Sequence, residues 1–101
     1  MSNNVKNTRI LLAEDDVNLG FLLVDFLESN GFEVILYRDG LSALQGFSRA
    51  GADFCLIDIM LPGMDGFTLT SGIKKLDSRI PVIILSARSL KEDKIAGFRL
   101  G

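Results

Sequence analysis

The 101 residues contain no histidine and no tryptophan, one cysteine and two prolines. Without histidine there is no imidazole general base, no histidine metal ligand and no Ser–His or Cys–His nucleophile pair. The lone Cys55 cannot close an internal disulfide. It lies in an apolar run, the setting of a buried, inert thiol in a reducing compartment. No apolar run reaches the roughly 18 residues of a membrane span. The opening "MSNNVKNT" lacks the apolar core of a signal peptide and reads as a disordered leader over residues 1–8. The expectation is a cytoplasmic chain with no membrane partner. Neither charge sign dominates: 11 basic and 13 acidic residues leave −2, which argues against a nucleic-acid surface within this segment.

What is present is an alternation of strand and helix signals with no repeat or linker. "RILLAED" (9–15) is an apolar run ending in acids. Asp16 stands at a helix N-cap position, followed by Leu19, Leu22, Leu23, Phe26 and Leu27 at helical spacing and by Gly31 as a stop. "FEVILY" (32–37) is a second strand. A helix with Leu41, Leu44 and Phe47 on one face follows, ending near Gly51. "DFCLID" (53–58) is a third strand and "LPGMDG" a loop. A third helix over 67–76 is apolar at Phe67, Leu69, Ile73 and Leu76. "PVIILSA" (81–87) is a fourth strand, and 89–100 a fourth helix. The first, third and fourth strands are almost continuously apolar, as in a parallel sheet covered on both faces. The predicted fold class is therefore α/β, a doubly wound parallel sheet with helices on both faces.

In such sheets ligands bind beyond the carboxyl ends of the strands. Glu14, Asp15 and Asp16 follow the first strand, Asp58 closes the third and Ser86 the fourth. An acidic triplet alone reads as a solvated loop or helix cap, and Asp16 reads as a cap. Taken together, carboxylates brought to one edge without histidine suit a hard divalent cation such as Mg2+. A carboxylate buried at a strand end costs several kcal/mol unless it is paired or bound to metal.

"ILLAEDD", "LIDIMLPGMDG" and "PVIILSAR", in this order and spacing, closely resemble the receiver domain of bacterial two-component response regulators. The "LSAR" turn and the Asp93-Lys94 pair are most similar to receivers that precede a winged-helix DNA-binding domain. The resemblance implies a flavodoxin-like sheet. It implies that Asp58 is the phosphoacceptor for a sensor histidine kinase, and that Mg2+ is held by Glu14, Asp15, Asp58 and the backbone carbonyl of Met60. It further implies that Ser86 is the switch hydroxyl, that Ala87 leaves the phosphoryl group room, and that Pro62 and Gly63 shape the loop. Asn18, Phe21 and Leu22 would lie at the kinase-docking face and Lys94 at a dimer contact. Such a domain is a signalling phosphoacceptor that assists its own phosphorylation and dephosphorylation, not an enzyme of turnover.

The family continues with a fifth strand ending in lysine and a fifth helix, whereas these residues stop at Gly101. The expectation is a receiver over 9–101, incomplete at its C-terminus, that self-associates through "VIILS" as an open edge. DNA would be reached only through an output domain absent from these residues. Three other readings compete. One is a fragment that folds but is not efficiently phosphorylated. Another is an aspartate-nucleophile phosphohydrolase, against which Met60 stands where a second aspartate is needed. The last is a flavin or nucleotide module, against which "AEDDVN" stands where a glycine-rich loop is needed.

Overall fold

The computed structural model describes residues 7–85. Residues 1–6 of the expected leader, the predicted fourth helix, Ser86, Ala87 and Lys94 lie outside the described residues. Within the described residues, the Thr8 carbonyl accepts the Glu33 backbone N–H at 2.9 Å. Seven elements follow in order: β1 (Arg9–Ala13), α1 (Val17–Ser29), β2 (Glu33–Tyr37), α2 (Gly40–Ala50), β3 (Phe54–Asp58), α3 (Gly66–Leu76) and β4 (Val82–Leu85). Each predicted element in this range is present, with bounds shifted by one or two residues.

All three helices among the described residues open on an aspartate. Asp16, Asp39 and Asp65 each accept a hydrogen bond at 2.8 Å from the backbone N–H three residues on, at Leu19, Ser42 and Thr68. This satisfies donors that the first helical turn leaves without partners. Helix α1 ends as the glycine signal foretold. Gly31 takes φ +91°, its N–H donates to the Glu28 carbonyl and that of Phe32 to the Leu27 carbonyl.

The strands form one parallel sheet in the order β2-β1-β3-β4, a doubly wound, flavodoxin-like arrangement. Side chains alternate across it. Leu11, Ala13, Cys55 and Ile57 face one side, packed with Ala43 and Phe47 of α2 and Leu69 and Ile73 of α3. Burial of each large aliphatic side chain there contributes about 1.5–3 kcal/mol. Ile10 and Leu12, fully buried, alternate to the side where α1 packs beside β2.

The helical stripes are buried less completely than their spacing predicts. In α1 only Leu27 and Gly20 are buried, while Leu22 and Phe26 are 64% and 62% exposed. On that side of the sheet α1 is the one helix among the described residues, so the outer half of its stripe meets nothing described. In α2 the buried face runs through Gly40, Ala43, Gly46 and Phe47, and Leu41 is exposed. In α3, Phe67 lies about 200° around the axis from Leu69 and points outward. β4 also departs from expectation, since Ile83 is half exposed. Periodicity locates an apolar stripe, but neighbouring elements decide how much of it is covered.

Candidate metal centre

β1 and β3 are neighbours, with Ala13 opposite Ile57. The next residues, Glu14 and Asp58, therefore leave adjacent strands at the same level. The Glu14 backbone N–H donates to the Tyr37 carbonyl at 2.9 Å, which fixes the chain as it leaves the sheet. The Glu14 carboxylate then accepts the Asp16 backbone N–H at 2.8 Å, turning the loop into the α1 cap. The Cγ of Glu14 lies near Gly20 of α1, where a β-carbon would stand 3.9 Å from it.

Glu14 and Asp58 are wholly buried, and Asp15 is exposed. The three carboxylates offer oxygen atoms that all lie within 4.8 Å of one another. Asp58 Oδ1 accepts the Met60 backbone N–H at 3.3 Å. Asp58 Oδ2 is buried with no hydrogen-bond partner among the described residues. A buried carboxylate oxygen without a donor, beside two more carboxylates, fits a hard cation: it is an oxygen-only set of concentrated negative charge open to solvent on the Asp15 side. The set fits Mg2+ in donor chemistry and lacks the sulfur and imidazole ligands that would favour softer metals.

The loop from β3 to α3 is held in three places. Gly66 donates its N–H to the Ile59 carbonyl at 2.8 Å. Leu61 is buried, and Met64 packs against Gly40, where a β-carbon would come within 2.9 Å of the Met64 carbonyl oxygen. Pro62 and Gly63 form the exposed tip, with Gly63 at φ +78°, as a Pro-Gly turn requires. Met60 is half exposed, and its backbone rather than its side chain addresses Asp58.

The structure thus gathers Glu14, Asp15 and Asp58, and sets Met60 beside them. Asn18, Phe21 and Leu22 are exposed on the first turns of α1, and the Arg38 guanidinium lies 5.5 Å from the centre of the Phe21 ring. Sequence reasoning missed Gly40 and Gly66 as determinants of the loop. Their signal was available: α2 and α3 both open on the dipeptide Asp-Gly. Among the described residues no helix is long and apolar enough to cross a membrane.

Comparison with known proteins finds relatives over most of the chain. The transcriptional regulatory protein RprY of Bacteroides fragilis is 44% identical over 93 residues, which span 92% of this chain and 39% of that protein. The sensory transduction protein RegX3 of Mycobacterium tuberculosis is 42% identical over 94 residues, 93% of this chain and 41% of its own length. The chain therefore spans about two fifths of these curated relatives. Among solved structures, the receiver domain of a sensor histidine kinase from Pseudomonas aeruginosa superposes with a TM-score of 0.78 at 32% identity, covering 95% of this chain and 80% of that one. That structure holds a magnesium ion in its active-site cleft. A Francisella response regulator receiver domain gives a TM-score of 0.76 at 35% identity, covering 94% of this chain and 78% of that one. Residues 10–101 match the family described as the response regulator receiver domain, and to that family the chain belongs.

Proposed function

We propose that Asp58 is the phosphoacceptor of this receiver, taking a phosphoryl group from the phosphohistidine of a sensor kinase. The observation that carries this reading is the buried Asp58 Oδ2, which has no hydrogen-bond partner among the described residues and sits beside Glu14 and Asp15. A structural aspartate at a strand end would have its oxygens satisfied. An Asp58 carboxylate oxygen attacks phosphorus, the phosphorus–nitrogen bond of the donor breaks, and the imidazole leaves as its nitrogen takes up a proton. The product is an acyl phosphate on Asp58.

Glu14, Asp15, Asp58 and the Met60 carbonyl would hold Mg2+. When bound, the ion supplies charge that offsets both the carboxylates and the incoming phosphoryl oxygens. The chain's own residues do the rest. Glu14 is fixed by the Tyr37 carbonyl and the Asp16 amide, and the Met60 amide orients Asp58. Ser86 and Ala87 follow directly on Leu85, which is opposite Asp58 in the β3–β4 register. That sequence position supports their reading as switch hydroxyl and small neighbour. The exposure of Asn18, Phe21 and Leu22 on α1 supports kinase contact there.

Control of transcription is the output suggested by the named relatives, with DNA contacted through none of these residues. The reading is of a signalling domain acting in the cytoplasm. Association through β4 is supported by its place at the end of the described sheet and by half-exposed Ile83. A clean monomer in sedimentation at high concentration would count against it.

The direct test is mass spectrometry of the chain incubated with Mg2+ and a small phosphodonor such as acetyl phosphate. One added phosphoryl group is expected, lost in Asp58→Ala and in Glu14→Gln without change of fold. Uptake that persists in Asp58→Ala would overturn the assignment.

A further inference from the structure

Helices α2 and α3 pack side by side on one face of the sheet, and towards their C-terminal ends they leave a groove of about 780 Å³. Leu44 and Leu76 supply its apolar walls, Ser48 a hydroxyl, and Arg49 and Lys75 its charge. Gly72 shapes the floor. A β-carbon there would come within 3.1 Å of Leu44 Cδ1, so glycine lets Leu44 settle between the helices.

The charge carried by the two helices themselves is one-sided, with Asp77 standing just past Leu76 as the cap of α3. The chain has more acidic than basic residues, 13 against 11, yet neither α2 nor α3 contains an aspartate or glutamate. Their charged residues are Arg49, Lys74 and Lys75. Lys74 is committed elsewhere, since its Nζ donates to the Ile80 carbonyl. Arg49 and Lys75 form no ion pair among the described residues. The helix dipole favours a cation at each C-terminus, but it does not call for a leucine-walled recess between the two cations. The groove lies towards the opposite end of α3 from Gly66, away from the carboxylate cluster, and owes nothing to the chemistry of Asp58.

We propose that the α2–α3 groove docks an acidic segment of a partner protein. An apolar side chain of that segment enters between Leu44 and Leu76, and flanking carboxylates meet Arg49 and Lys75. Nucleic acid suits the groove less well: two cations neutralise few phosphates, and the lining has no aromatic ring on which a base could stack.

The test titrates the isotope-labelled 101-residue chain with a short synthetic peptide of glutamates around a central Leu-Phe pair, followed by amide shifts in NMR. Shifts clustered at Ser48, Gly72 and Lys75 are expected. Arg49→Glu combined with Lys75→Glu should weaken binding at least tenfold with unchanged circular dichroism, and about 0.5 M salt should weaken it as well. Shifts that map elsewhere would overturn the proposal. So would equal binding by a peptide with lysine in place of glutamate, undiminished affinity in the double variant, or displacement of the peptide by a single-stranded oligonucleotide.

Discussion

Gly66 lies so close to the backbone carbonyl of Asp58 that a β-carbon at position 66 would overlap that oxygen and stand 2.9 Å from the Ile59 Cα. The first residue of α3 and the last of β3 are thus in backbone contact. The Met60 amide that orients Asp58 sits in the loop pinched between them. Gly66→Ala must displace this loop or the helix start. It should cost about 1–3 kcal/mol of stability in urea denaturation. It should also slow phosphoryl uptake more than the substitution Gly63→Asn at the exposed loop tip.

The carboxylate cluster should make stability depend on a divalent cation. Without metal, Asp58→Asn removes one of three close negative charges, and a gain of about 1 kcal/mol is expected. With Mg2+ at a hundredfold excess over its dissociation constant, the native chain should gain about 2.7 kcal/mol and Asp58→Asn much less. Thermal unfolding with and without the cation measures both. A native chain indifferent to Mg2+ would contradict the metal assignment.

The helix caps predict an acid-sensitive component. Hydrogen bonds from the Ser42 backbone N–H, and then its hydroxyl, hold the Asp39 carboxyl below its ordinary 3.8. The Thr68 backbone N–H does the same for Asp65. Both groups bind protons less readily folded than unfolded. Their stabilisation is therefore present above 3.8 and is lost as pH falls through the lower folded values. Asp39→Ala and Asp65→Ala should lower the denaturation midpoint at neutral pH, and their difference from the native chain should shrink in acid. A difference that stays constant down to pH 2, reached on the order of two units below the free carboxylate value, would deny the caps this role.

Cys55 should report opening of the core. Burial pushes its thiol up to about 11 from 9.0, against the opposing pull of the Lys74 charge. At pH 8 only about one thiol in a thousand would be ionised in the native state. Labelling by a disulfide reagent should be slow and should accelerate with urea in step with unfolding. The unfolded chain ionises first, so stability should also fall as pH rises from about 9 towards 11. Rapid labelling under native conditions would show that the strand opens locally.

The sequence alone determined the local structure of this protein. Short apolar runs marked the strands, and Asp16 and Gly31 marked the ends of α1. The acids at 14, 15 and 58 stood at strand ends because strands carry their chemistry where they leave the sheet. These signals are short-range, set by backbone hydrogen bonding and side-chain period within a few residues. Only the tertiary structure decided that β1 pairs with β3, which sets Glu14 beside Asp58 across 44 residues of chain. It also decided that Leu22, Phe26 and Ile83 remain exposed, and that Gly40 and Gly66 are points of backbone contact. Such features depend on which elements become neighbours. That choice is made by crossover topology and close packing, and no window along the chain contains it.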